Sequence, residues 1–102
     1  MKNMKPAVYY VAVRNCRNTP YGIFHKDDLR LTDATVQEKY GPFNRDQARE
    51  FKIPGRYVVT RRYDGKETSF DSENAAFLHH LLVNGPEKAC LIWDRVLLKY
   101  VD

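Results

Sequence analysis

The sequence predicts one α+β domain, a small antiparallel or mixed sheet with two helices. Three observations lead to that class. The 102 residues lie within the usual size of one domain, roughly 100 to 150 residues. The 43% hydrophobic and 29% charged composition is that of an ordinary globular chain rather than a disordered or fibrous one. Runs of β-branched and aromatic residues are interspersed with two segments that carry helix start and stop signals.

The first strand is Ala7 to Val13, Ala-Val-Tyr-Tyr-Val-Ala-Val. Tyr9, Val11 and Val13 fall on one side and Val8, Tyr10 and Ala12 on the other, so the strand is apolar on both faces and is expected to be central. Asn15 to Pro20 reads as a turn, and Tyr21 to Phe24 as a short strand paired back on the first. Residues 25–33 are polar and read as a loop. Thr35 to Tyr40 is a further strand, closed by Gly41-Pro42.

A helix over about 44 to 52 follows. Asn44 caps it with Gln47 at the third position, a capping box, and Phe43 can staple onto Ala48. The Ile53-Pro54-Gly55 run stops it, because the residue before proline disfavours the α region. Arg56 to Tyr63 and Lys66 to Phe70 flank Asp64-Gly65, which predicts a hairpin with a two-residue loop. In that register Tyr63 faces Lys66, Arg62 faces Glu67, Arg61 faces Thr68, Thr60 faces Ser69 and Val59 faces Phe70. Asp71 or Ser72 then caps a second helix, Glu73 to about Val83, whose apolar stripe is Phe77, Leu78, Leu81 and Leu82 and which ends at Asn84-Gly85. Cys90 to Val101 fits either a helical face or a buried strand, and we read it as a strand. This order resembles the β-α-β-β-α-β arrangement of ferredoxin-like domains, with one or two extra short strands before the first helix. The resemblance is one of element order and implies no activity.

The charge is unevenly distributed. Residues 1–43 hold seven Lys and Arg against four Asp and Glu, residues 44–66 seven against three, and residues 67–102 three against six. On the first helix Arg45, Arg49 and Lys52 stand at i, i+4 and i+7, and Arg56, Arg61, Arg62 and Lys66 follow on the hairpin. Like charges so aligned are locally unfavourable, which points to an anionic partner that offsets them. Tyr57 and Tyr63 share a strand face with Arg61, as a stacking surface beside cations would require. The competing reading is a solvated basic surface, with Asp46, Glu50 and Glu67 as local counter-charges.

Little else in the chain suggests chemistry. His79 and His80 are adjacent and diverge by about 100° on a helix, so they cannot share a metal as an i, i+4 pair does. His25, Asp27 and Asp28 lie in a polar loop without partners at motif spacing. Cys16 and Cys90 make no Cys-x-x-Cys; Cys90 sits in an apolar run, and Cys16, near Arg14 and Arg17, is the more reactive candidate. No phosphate-loop, dinucleotide or nucleophile-elbow motif occurs, and the third-strand aromatic motif of RNA-recognition domains is absent from Lys66 to Phe70. Neither a cofactor nor a metal is expected. No apolar run nears the roughly 20 residues of a membrane span, so no membrane contact and a cytoplasmic location are expected.

These readings converge on a non-enzymatic binding module, with Arg45, Arg49, Lys52, Arg56, Arg61, Arg62 and Lys66 supplying charge and Tyr57 and Tyr63 as flanking contacts. Its expected partner is nucleic acid or an acidic protein surface. The first alternative is a small protein-directed inhibitor or adaptor, of the kind mobile elements encode, in which a tyrosine-rich surface contacts one host protein. The second is an enzyme with a dispersed site.

Overall fold

The computed structural model describes residues 7–86 and 91–101. Among these residues the chain is α+β, with two α-helices and two antiparallel sheets of three and four strands. It divides into two compact units, Met1–Phe51 and Lys52–Asp102, each with one sheet and one α-helix.

In the first unit, β1 (Tyr9–Arg14) lies between β2 (Tyr21–His25) and β3 (Val36–Phe43). β1 is central, as its two apolar faces predict, and Val11, Ala12 and Val13 are all buried. Both edges of β1 are paired, by β2 and β3, so no strand after the first helix adds to it. The strands after the helix form a second sheet, so the expected single sheet in ferredoxin-like order is replaced by two.

β3 runs through Gly41-Pro42 rather than ending there. Tyr9 pairs with Phe43 and Val11 with Tyr40, so Gly41 and Pro42 together oppose Tyr10 in a bulge. Gly41 has φ 140°, and a Cβ there would stand 2.8 Å from Tyr10 Cδ1 and 3.0 Å from the Tyr9 carbonyl oxygen. The segment read as a loop contains a short 3-10 helix, Leu29–Thr32, capped by Asp28. Leu31 from that turn joins Ala12 and Phe24 in a core cluster flanked by Tyr10 and Val36.

α1 (Arg45–Glu50) begins with the predicted capping box: Asn44 Oδ1 accepts from the Gln47 N–H (2.8 Å) and Gln47 Oε1 accepts from the Asn44 N–H (3.0 Å). It ends two residues earlier than expected. Phe51 turns to an extended conformation (φ −66°, ψ 133°), with its ring 4.9 Å from that of Tyr40 and 5.0 Å from that of Phe43. Aromatic packing against β3 thus draws the chain off the helix path before Lys52.

In the second unit, β4 (Tyr57–Thr60), β5 (Glu67–Phe70), β6 (Ile92–Asp94) and β7 (Lys99–Tyr100) form a sheet in the order β5-β4-β6-β7. The β4–β5 hairpin is present with a different register: Tyr57 opposes Phe70, Val59 opposes Thr68 and Thr60 opposes Glu67. The shift is two residues, so each strand keeps its faces while the loop grows to four residues, Arg62 to Gly65. Arg61 closes it by donating its N–H to the Lys66 carbonyl (2.8 Å) and accepting from the Gly65 N–H (2.7 Å), and Gly65 takes φ 74°. Asp64 makes this longer loop favourable: its carboxylate accepts from the Lys66 N–H (3.1 Å) and pairs with the Arg61 guanidinium.

Cys90 to Val101, read as one buried strand, is over its described residues a short hairpin of β6 and β7, with β7 exposed and residues 95–98 forming the turn between them. Asp94 organises its turn, accepting from the backbone N–H groups of Val96 (3.0 Å) and Leu97 (3.2 Å). Cys90, expected in an apolar buried run, lies outside the described residues.

α2 (Glu73–Asn84) follows β5 and is bounded as predicted, with the Ser72 hydroxyl accepting from the Ala75 N–H (3.2 Å) and Gly85 at the C-terminal end with φ 83°. Its rotation is the largest departure from expectation. Ala76 and His80 are buried, and Ala76 joins Tyr57, Val59 and Ile92 in a core cluster with Phe70, Val83 and Val101. The four residues of the apolar stripe do not pack on the sheet: Phe77 is 50% exposed, Leu78 67%, Leu81 36% and Leu82 83%.

Candidate interaction surface

The rotation of α2 has a visible cause at its C-terminal end. Asn84 Nδ2 donates to the Thr60 carbonyl (2.9 Å), and Asn84 Oδ1 accepts from the Arg62 N–H (2.7 Å). The same amide nitrogen is 3.0 Å from His80 Nδ1, one turn earlier. An amide nitrogen only donates, so His80 Nδ1 is the acceptor in this contact. His79 lies against the Phe70 ring at 5.0 Å. Small Ala76 admits the sheet closely while Asn84 bonds to the hairpin and to His80, so the inward face is small and polar-tipped. At about 100° per residue, Phe77, Leu78, Leu81 and Leu82 then point roughly opposite to Ala76, His80 and Val83.

This ridge is energetically conspicuous. Full burial of one such side chain contributes about 1.5–3 kcal/mol, so leaving four exposed on one helix face forgoes several kcal/mol. Scattered exposed apolar residues are normal, but a contiguous group marks a contact surface. The ridge ends at the hairpin loop, because Asn84 holds that loop against the last turn of α2. There Arg62 and Lys66 are exposed and Tyr63 is 90% exposed. At the other end of α2, Glu73 is exposed in the first turn, and the helix contains no Lys or Arg. Among the described residues the outer face of α2 is apolar, with the exposed Arg62 and Lys66 near its C-terminal end.

The nine residues read from the sequence as a binding surface fall in both units. Arg45 and Arg49 belong to the first unit and the other seven to the second. Arg45 donates to the Tyr9 hydroxyl (2.8 Å) and lies over the Tyr9 ring at 5.4 Å. Arg49 is exposed on α1, whereas Lys52, expected as the next step of its stripe, lies past the end of the helix. Arg56 makes a two-point ion pair with the buried Asp94, Nε to Oδ1 at 3.1 Å and Nη2 to Oδ2 at 3.0 Å, and its guanidinium packs 5.1 Å from the Tyr57 ring. Tyr57 is itself buried in the core cluster. Arg56 and Tyr57 thus serve the fold. Arg61 is bonded to Asp64, which holds the Asp64 carboxyl well below the ordinary carboxylate range. Of the predicted set, Arg62 and Tyr63 lie in the exposed four-residue loop and Lys66 directly follows it, exposed as well.

The remaining candidates are local. His25 Nδ1 accepts from the Asp27 N–H (3.2 Å) on an exposed turn. His79 and His80 have separate partners, and among the described residues no group of three or more His, Cys, Asp or Glu is placed to hold a metal ion. The Cys16 thiol is drawn below its ordinary value by backbone donors at Thr19 and Asn18, with the charge of Arg14 adding to the effect. Among the described residues no helix is long and apolar enough to cross a membrane.

The apolar ridge was in plain view in the sequence as a stripe, but periodicity alone assigns such a stripe to the core. The signal that it faces outward is the opposite side, where Ala76, His80 and Asn84 supply closeness and hydrogen bonds at i, i+4 and i+8. No protein-family model, curated protein or solved structure matches this chain.

Proposed function

We propose that this chain is a non-enzymatic module that docks onto a protein through the outer face of α2 and the adjoining β4–β5 loop. The partner is a polypeptide surface with an apolar ridge and an acidic flank. The observation that supports this reading is the outward placement of Phe77, Leu78, Leu81 and Leu82 on one face of a helix whose rotation is held by Asn84. Apolar contact supplies affinity for such a partner, and the Arg62 and Lys66 charges supply orientation and encounter rate. Nucleic acid is the competing partner at the loop itself, where Tyr63 stands exposed between those cations in sequence, as a stacking ring does in single-strand sites. A four-leucine-scale apolar ridge has no role in phosphate contacts, which are polar and charged.

Photo-cross-linking separates the two. With Leu78→p-benzoylphenylalanine in the full chain, irradiation of expressing cells is expected to give an adduct that protease removes and nuclease leaves intact. Adducts formed only from position 63, and removed by nuclease, would overturn the protein-docking reading in favour of nucleic acid.

A further inference from the structure

Asn84, the last residue of α2, is followed by Gly85, and it is alone among the asparagines of the chain in preceding a glycine. The Cγ of an asparagine is open to attack by the backbone nitrogen of the next residue. Glycine, without a Cβ, leaves that nitrogen least obstructed and admits the backbone angles the attack needs. The Gly85 nitrogen loses its proton to base and bonds to Cγ, and the side-chain nitrogen leaves as ammonia, taking up a proton. Water then opens the resulting succinimide at one carbonyl or the other, giving aspartate or isoaspartate. Only water is consumed.

The fold occupies both reacting groups. The helical backbone at Asn84 turns the Gly85 nitrogen into the helix ladder, where it donates to the Leu81 carbonyl (3.0 Å). The Asn84 amide is bonded to the Thr60 carbonyl and the Arg62 N–H and lies beside His80 Nδ1. Both restraints belong to the final turn of a helix, where helices open most readily.

We infer that Asn84 is a site of spontaneous deamidation, shielded while α2 and the β4–β5 loop are joined, and that losing the amide frees the loop from the helix irreversibly. A carboxylate at position 84 keeps an acceptor for the Arg62 N–H but has no N–H for the Thr60 carbonyl or His80 Nδ1, and it sets oxygen against an acceptor at both. The isoaspartyl product also lengthens the backbone within the last turn. Either product adds negative charge at the C-terminal end of α2, where the helix dipole already opposes it. The loop that carries Arg62 and Tyr63 is thereby loosened, and because ammonia has left, the change runs one way at a rate set by opening of the last turn.

Peptide mass spectrometry of the full chain, incubated at mildly alkaline pH in buffer and in urea, tests this. In urea Asn84 is expected to convert ahead of every other asparagine, with isoaspartate among its products. In buffer it converts at least about tenfold more slowly, the suppression given by an opening that costs about 1.4 kcal/mol. The converted chain, separated by its added charge, is expected to exchange the Arg62 N–H at least about tenfold faster than the unconverted chain. Asn84→Asp reproduces that faster exchange without incubation. Conversion in urea that lags behind the other asparagines overturns the site, and equal rates in urea and buffer overturn the shielding. Unchanged exchange at the Arg62 N–H in both the converted chain and Asn84→Asp overturns the release of the loop. None of these measurements involves a partner, so the docking reading and this inference fail independently.

Discussion

The side-chain amide of Asn84 donates to the main-chain carbonyl of Thr60 at 2.9 Å, joining the last turn of α2 to the end of β4. The other side of the same amide accepts from the Arg62 N–H, and its nitrogen lies beside His80 Nδ1. One residue thereby sets which side of α2 meets the sheet and where the basic loop sits beside the helix.

Asn84→Ala removes these bonds and leaves the Thr60 carbonyl and the Arg62 N–H to find other partners. The expected cost is about 1–3 kcal/mol, read as a lower midpoint in urea unfolding with little change in slope. Asn84→Asp is expected to be similarly destabilising, since a carboxylate cannot donate to the Thr60 carbonyl.

Arg56 is tied into the fold through its two-point pair with Asp94. Asp94→Ala strips the half-buried guanidinium of its two-point partner and also removes the acceptor that organises the β6–β7 turn. Breaking a buried pair from one side costs about 3–5 kcal/mol. Arg49→Ala and Lys52→Ala, at exposed positions, are expected to stay within about 0.5 kcal/mol of the wild type. Equal effects from all of these substitutions would contradict the structural role of Arg56.

Asp28 gives the account a pH signature. Its carboxylate pairs with Arg30 and accepts from the Arg30 N–H, which lowers its pKa from 3.8 to about 2. The folded value lies below the unfolded one, so its stabilisation is fully present above pH 3.8 and is lost as pH falls toward 2. Asp28→Asn should therefore lower the melting temperature at pH 6 and make much less difference near pH 2. A destabilisation of the same size at both pH values would show that the charge is not the cause.

The helix caps were the more legible part of this fold. Asn44 with Gln47, and Ser72 with Gly85, mark helix ends through local hydrogen bonds that a short segment contains in full. Positions decided by distant packing were not legible. Phe51 leaves α1 because Tyr40 and Phe43 hold its ring, so the Arg45, Arg49, Lys52 stripe lost its last member. Asp64 and Gly65 were read as the whole loop, whereas the Asp64 bonds to Arg61 and Lys66 favour four residues. Gly41-Pro42, read as a stop, became a bulge because it stands opposite Tyr10. For the surface, the exposed loop cations were legible and the α2 stripe was recognised without the direction it faces.

The central claim is that α2 meets its sheet through Ala76 and presents Phe77, Leu78, Leu81 and Leu82 outward. Urea unfolding of two variants at sub-micromolar concentration, where association makes no contribution, tests it most directly. Leu78→Glu/Leu82→Glu is expected to keep the wild-type stability within about 0.5 kcal/mol, as exposed positions do. Ala76→Leu, which forces extra volume into a fully buried site, is expected to cost about 1–3 kcal/mol. The reverse outcome, a collapse with the glutamates and tolerance of the leucine, would place the ridge in the core and contradict the account.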